Sequence, residues 1–586
     1  MKSIKTEMLP GASMTRRGAL KLAGAAGLVT VFPGRKLFAN VNQELELAVE
    51  PQRITIDGRS SPALAIGGSV PAPVLRWREG DEVLIRVTNR LDEPTSIHWH
   101  GLLIEGVMDG APGFNGYEAI QPGDTYTYLF QLRQSGTYWY HSHSAMQEQL
   151  GMYGAIIIDP KDREPVRADR DYVVVLSDHT SEAPVSILGN LKASPEYYNK
   201  GRRTLVDFFR DVGRNGFGAT VQDRLDWSEM RMDPTDLADV TGYDFLVNGK
   251  GPKDNWTGLF EPGERVRLRI INASAMSFFD VAIPGLPMTV VAADGQYVVP
   301  TKADEFRFGV GETYDVIVRP TEAKAYTLMA EPLDRSGYAR ATLAPHEGMV
   351  GPIPPQRPRA TLAMSDMPAS QMGGMDHGSM AGMDGGSMSG MDHSGMAGMG
   401  QSSMSDMDHG SMAGMADAAP QAVDTQPVGW EQAGTPPGAR QLTYADLKAL
   451  KPSGDLREPT QEIAVNLTGI MERYVWTLNG RKFGNEEVFR VTEGDRVRLR
   501  FINDTMMAHP MHLHGMFMEL ENGETERKPR KHVIMVPPGQ TVTAVLTADE
   551  VGEWPFHCHL VYHMASGMMT RFIVEPKGTE LSSLAE

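Results

Sequence analysis

The chain has 586 residues, enough for three or more domains that each bury a core. Its formal charge is −18, and its composition is ordinary apart from 36 Met, 61 Gly and a single Cys. So acidic a body is a poor partner for nucleic acid and a better one for cations, and one cysteine excludes an intrachain disulfide.

Residues 1–39 hold seven Lys or Arg and one Glu, so a leader of +6 leaves −24 on the remainder of a chain whose total is −18. Thr15-Arg16-Arg17-Gly18-Ala19-Leu20-Lys21 precedes an apolar run from Leu22 to Phe32 that is too short to span a bilayer. This leader resembles a bacterial twin-arginine export signal. Cleavage is expected after Ala39, although Leu37-Phe38-Ala39 is a poor small-x-small site; a basic start that is not exported is the plainer alternative. Export by this route carries folded proteins and implies a periplasmic product. No later segment reads as transmembrane, and a monomer is expected.

From residue 45 onward, short alternating runs such as Glu82 to Val87 and Arg265 to Ile270, separated by Gly, Pro and Asn, predict an all-β protein. Only part of 188–240, such as Arg203 to Val212, reads as helical. An internal repeat carries more information. Gly80, Gly263 and Gly494 are each followed by an acidic residue, a strand-like run and, nine positions on, Asn89, Asn272 and Asn503. Counting without gaps to plus 18 and plus 20 gives His98 and His100 in the first copy, Val281 and Ile283 in the second, and His512 and His514 in the third. A second set of anchors, Gly123, Gly311 and Gly539, leads at the same offsets to His141 and His143, to Met329 and Glu331, and to His557 and His559. The pattern predicts three β-sandwich domains over 45–160, 168–345 and 440–577, the middle one without ligands.

Between the second and third domains, 360–420 is a low-complexity linker rich in Met, His, Asp and Gly. Met364, Met372, Met380, Met388, Met396, Met404 and Met412 recur every eight residues. Each has a companion three residues later, at Met367, Met375, Met383, Met391, Met399, Met407 and Met415, and His377, His393 and His409 recur every sixteen. Such a tract is expected to be disordered without a ligand. Thioethers are soft ligands suited to Cu(I), so the tract is a candidate accessory copper site. A linker amplified by repeat slippage is the alternative.

The sole cysteine lies in His557-Cys558-His559, followed by His563 and Met568. Alternate side chains of a strand face opposite ways, so Cys558 can hold one metal while its neighbouring histidines reach another. His509 stands at plus 15 of the third repeat, where the first has Thr95. His98-Trp99-His100-Gly101, His141-Ser142-His143, His509-Pro510-Met511-His512-Leu513-His514-Gly515 and the cysteine motif together resemble the multicopper oxidase family over essentially the whole mature chain. The form His563-Met564-Ala565-Ser566-Gly567-Met568-Met569 is similar to its bacterial copper-resistance branch.

That resemblance implies tandem cupredoxin-like Greek-key domains and four copper ions. His509, Cys558 and His563 would bind type 1 copper with Met568 as axial ligand, and His98 and His512 type 2 copper. His100, His141 and His559 would hold one type 3 ion, and His143, His514 and His557 the other. Asp109 matches the family's acidic residue beside the cluster, although Asp-Gly is also an ordinary turn. Several family members carry an acid directly after the last type 1 histidine, where this chain has Met564. The implied reaction couples one-electron oxidation of a substrate to four-electron reduction of dioxygen to water, with Cys558 bonded through the backbone to His557 and His559 as the electron path. Three expectations for its role stand side by side: a cuprous oxidase in copper tolerance, a laccase-like oxidase of phenols or aromatic amines, and a periplasmic copper-binding or storage protein.

Overall fold

Glu82–Asn89 alternates half-buried and buried positions, with Val83, Ile85, Val87 and Asn89 turned inward. This is the two-residue period of a strand with one face on a core. The computed structural model describes residues 43–229, 233–363, 366–367, 430, 435–436 and 438–578. Val266–Asn272 and Arg496–Asn503 are the counterparts of the first strand in two further sandwiches. The glycines that precede these strands, Gly80, Gly263 and Gly494, have φ of 95°, 94° and 86°, a left-handed conformation that L side chains avoid.

The repeated asparagines close their strands in one way. Asn89 Nδ2 donates to Glu93 O and Ile120 O, both at 2.8 Å, while its Oδ1 accepts from Leu91 N at 2.8 Å. Asn272 makes the same three bonds to Ser277 O, Phe308 O and Ser274 N. Asn503 makes them to Met507 O, Val536 O and Thr505 N. Each buried amide thus satisfies the turn that carries the chain from one sheet to the other.

In all three domains the repeat strand lies parallel to the first long strand of its domain, Gln43–Ile56, Arg170–His179 or Gln461–Ile470. It lies antiparallel to Thr125–Gln131, Thr313–Val318 or Thr541–Thr547. The facing sheets pair His98–His100 with Gly136–His141, Phe279–Ala282 with Tyr326–Pro332, and His509–Leu513 with Gly552–Cys558. The architecture is three cupredoxin-like Greek-key β-sandwiches in tandem. Helices are few, and the longer ones, Pro184–Ala193, Leu205–Asn215 and Phe217–Glu229, all belong to the second domain. Thr204 opens the middle one of these with a reciprocal capping box to Asp207. Among the described residues no helix is long and apolar enough to cross a membrane.

Two details depart from the linear reading. In the outer domains His98 faces His141 and His512 faces His557, but in the second Val281 faces Ala330, one residue beyond the Met329 that gapless counting pairs with it. No facing histidine pair fixes the register there, and apolar Val281 and Ile283 fill the core instead. The segment expected to open the third domain joins the second: Gln441–Leu442 pairs in parallel with Glu305 and Phe306, and Val298 bridges Ala449. The exposed edge of that sheet offers the chain unpaired backbone groups as it passes.

A buried charge cluster joins the second and third domains. Lys531 Nζ is 3.1 Å from Asp294 Oδ2 and 2.9 Å from Glu312 Oε1, with all three side chains 0% exposed. Tyr444 OH donates to Glu312 at 2.7 Å. Burial opposes the charge on Lys531, but the two carboxylates outweigh it and hold its pKa above the ordinary lysine value. Removing one partner of a buried ion pair leaves the others uncompensated, at roughly 3–5 kcal/mol. Lys531→Ala is therefore expected to lower the apparent unfolding temperature of the protein sharply. The Lys531→Met/Glu312→Gln double variant, which removes charge from both sides, is expected to regain part of that loss in the same thermal scan.

Candidate metal centre

The strands that pair His98 with His141 and His512 with His557 place the two domain ends face to face. Three histidine groups form where they meet: His98 with His100 and His512, His100 with His141 and His559, and His143 with His514 and His557, the ligand atoms of each lying within 4.8 Å of one another. His509, Cys558 and His563 form a fourth group within the third domain. In that group His509 Nδ1 is 3.1 Å from His563 Nδ1, and Cys558 Sγ is 3.6 and 3.7 Å from them. Met568 is fully buried, and its carbonyl accepts from Cys558 N at 3.0 Å. Of the Met and His residues singled out in the low-complexity tract, Met367 alone is among the described residues, buried in the core; the others lie outside them.

Inward nitrogens approach one another closely. His514 Nε2 and His557 Nε2 are 3.1 Å apart, His559 Nε2 and His100 Nδ1 3.2 Å, and His143 Nε2 and His557 Nε2 3.4 Å. Most outward nitrogens have acceptors. His98 Nδ1 donates to Asp109 O at 2.9 Å, His514 Nδ1 to Asp109 Oδ2 at 2.8 Å, and His557 Nδ1 to Cys558 O at 3.0 Å. His141 Nδ1 lies 2.9 Å from Glu148 Oε2. Acceptors behind the rings keep their protons outside, so bare lone pairs point at one another across the centre.

Burial first, then the neighbouring imidazoles, depresses the pKa of His100, His141, His512, His514 and His557 well below the ordinary histidine value. His143 and His559 are pushed down to about 3, mainly by burial. Opposed neutral nitrogens at such distances repel unless a cation lies between them, so this donor set fits metal ions. Imidazole and thiolate are ligands that suit copper. Burial also pushes the Cys558 thiol up, and metal ligation requires its proton to leave.

Sequence profiles described as multicopper oxidase match residues 48–163, 170–348 and 457–578. Copper resistance protein A of Pseudomonas syringae pv. tomato is 50% identical over 568 residues, covering 91% of this chain and 92% of that protein. The chain belongs to the multicopper oxidase family. Copper resistance protein A of Escherichia coli is 49% identical over 561 residues, again with 91% and 92% coverage. Fet3p, described as a multicopper oxidase that functions in iron import, shares the fold at a TM-score of 0.63, with 18% identity over 91% of this chain and 90% of its own. The laccase from Botrytis aclada does so at 0.62, with 22% identity over 91% and 87%. As a multicopper oxidase this protein is a copper-binding oxidoreductase, and its histidine groups suit that metal.

Several residues around this multicopper oxidase's donor groups are not found by motif counting. Glu148, buried on the far side of His141, has its pKa raised by burial and then by Asp178. Asp239 Oδ2 accepts from His563 Nε2 at 2.7 Å, and Thr505 Oγ1 lies 2.8 Å from His509 Nε2. His532 Nδ1 lies 3.1 Å from His100 Nε2. The sole available signal was weak: His532 is a histidine outside every motif, and Glu148 follows His143 by five residues. His179 is buried away from the centre against Ser61, and His346 is exposed.

The depressed histidines have a consequence for the copper-free protein. The unfolded chain accepts protons below about pH 6.5, whereas folded His143 and His559 refuse them until about 3. Their contribution is complete above the unfolded value and is lost as pH falls toward the folded one. Stability of the copper-free protein is therefore expected to fall between pH 6 and pH 4. His143→Gln or His559→Gln is expected to make that slope shallower by up to ~1.4 kcal/mol per pH unit, measured by denaturant unfolding at a series of pH values.

Proposed function

We propose that this multicopper oxidase is a periplasmic cuprous oxidase of copper tolerance: four Cu(I) ions, one dioxygen and four protons give four Cu(II) ions and two waters. In this reading His509, Cys558 and His563, with Met568 as a weaker sulfur donor, would hold type 1 copper. His98 and His512 hold type 2 copper, while His100, His141, His559 and His143, His514, His557 hold the type 3 pair. Bound copper supplies reversible one-electron chemistry and the place where dioxygen is reduced. Cys558, bonded through the main chain to His557 and His559, makes the covalent link between the two donor groups. Asp109, between His98 and His514, orients both rings and is placed to hold a proton beside them.

The described residues on either side of the Met-rich tract support the cuprous reading. Asp366 Oδ2 accepts from Trp430 N at 3.0 Å, so the described residues on either side of 368–429 are held together. Just before them, Leu362 N donates to Pro234 O at 2.7 Å, in the loop that continues to Asp239 behind His563. A Cβ on Gly539 would lie 2.8 Å from Asp366 O, and Gly539 N donates to Thr505 O, the residue behind His509. The described residues before the tract thus meet the loop that leads to Asp239 and the glycine bonded to Thr505. His563 is itself 0% exposed, with Asp239 at its outer nitrogen and Trp476 stacked on its face at 4.0 Å. With both His563 and Asp239 buried, the imidazole is closed to a phenol ring that must touch it. The relatives named Copper resistance protein A and the twin-arginine leader support the setting.

Replacing 368–429 by a short Gly-Ser linker is expected to impair steady-state dioxygen uptake driven by Cu(I) while leaving the blue thiolate band intact. Undiminished uptake would reduce the tract to a linker, and far faster turnover of phenols than of Cu(I) would favour the laccase-like reading. Cys558→Ser is expected to abolish both the blue band and copper tolerance in cells. Tolerance that survives this substitution would instead mark a storage protein.

A further inference from the structure

His532 is one of sixteen histidines, lies in none of the repeat motifs, and is fully buried. We propose that His532 is a positioning residue that fixes the tautomers of His100 and His512, one from each half of the histidine cluster, with Asp294 of the middle domain as its anchor. The proposal rests on reading His100 and His512 as copper ligands.

His100 turns Nδ1 inward, 3.4 Å from His141 Nε2 and 3.2 Å from His559 Nε2. The other cluster rings with inward contacts, such as His98, His512, His514 and His557, turn Nε2 inward. A ring that presents Nε2 leaves Nδ1 close to its own backbone, where a local carbonyl can accept its proton, as Cys558 O does for His557. A ring that presents Nδ1 carries its proton on Nε2, at the far end of the side chain, and needs an acceptor from elsewhere in the fold. His532 Nδ1, 3.1 Å from His100 Nε2 and 432 residues away in sequence, fills that need.

The acceptor role fixes the state of His532 as well. Its own proton must sit on Nε2, which has no hydrogen-bond partner among the described residues. This atom lies against Gly101, where a Cβ would come within 2.7 Å of Nε2 and 2.5 Å of Cδ2, so the glycine after His100 makes room for the ring. The main chain of the same residue serves the other half-site, since His512 Nδ1 donates to His532 O at 2.8 Å and thereby keeps Nε2 free to face His98 Nε2 at 3.5 Å. His100 and His512 stack at 3.9 Å and 12° in front of it. Asp294 Oδ2 in turn accepts from the backbone N of His532 and of Val533, each at 3.2 Å, while Oδ1 accepts from Thr313 N at 3.0 Å. One residue therefore touches all three domains at the cluster.

The test compares copper-loaded wild type, His532→Ala and His532→Gln, with His100→Ala as control. It reads copper per chain after dialysis against a chelator, the blue thiolate band, and the EPR spectrum. His532→Ala leaves His100 Nε2–H without an acceptor, and loss of such an outer partner costs ~10- to 100-fold in metal affinity. It is expected to lose cluster copper and alter the EPR signal of the histidine-bound ion, with the blue band at full intensity. His532→Gln, whose amide oxygen can accept the same proton, is expected to retain more cluster copper than His532→Ala. Wild-type copper retention in His532→Ala would overturn the proposal. So would parallel loss of the blue band, which would indicate general packing, or a Gln variant no better than Ala. If His100→Ala itself keeps its cluster copper, the ligand reading is what fails.

Discussion

Neutral imidazole nitrogens held 3.1 to 3.5 Å apart across a buried centre are the constraint that governs this molecule. Without a cation between them such lone pairs repel, so the protein must impose the arrangement from outside. It does so by placing an acceptor behind most rings, which keeps each proton outward, and by clamping two domains whose histidines lie more than 400 residues apart in sequence. The cost of this preorganisation falls on the copper-free fold, which buries bases that would otherwise be protonated in mildly acidic solution.

The middle domain contributes no member of the histidine groups, yet the geometry depends on it. Asp294 receives the backbone that carries His532, Glu312 and Asp294 together hold Lys531, and Asp239 receives His563. With Val281 and Ile283 where the outer domains have histidines, the middle sandwich braces the other two through its edges and loops. The one-residue shift between Val281 and Ala330 goes with that difference, because an apolar core tolerates a register that facing histidines would not.

Spacing along the chain made much of the fold and site legible. Residues i and i+2 of a strand share a face, so His98 with His100, and His557 with His559, can only point to one side, and Cys558 to the other. The repeat of Gly, strand and Asn carried that reading across three domains because each Asn performs the same closing function. What spacing does not encode is contact between distant segments. Glu148, Asp239, Thr505 and His532 contact the clustered histidines through hydrogen bonds or ion contacts without any recurring offset, and a lone Glu or His has many structural uses. Gln441–Leu442 was misplaced for a related reason: a two-residue strand is defined by the edge it meets, not by its own residues.

The carboxylates show how the labour is divided. Between Cys558 and Met568 the third domain runs through Leu560, Val561, Tyr562 and Met564, with no acid in the turn that separates its two donor groups. The carboxylates beside the cluster come instead from the first domain: Asp109 stands behind His98 and His514, and Glu148 behind His141, with its other oxygen 4.0 Å from His559 Nδ1. They lie behind different rings, and each approaches histidines from both outer domains. The third domain thus owns the complete thiolate group and half of the histidine cluster, the first owns the other half and its acids, and the second owns the braces. No single sandwich contains the whole histidine cluster, so the interface between the outer domains is under the same geometric constraint as the clustered histidines themselves.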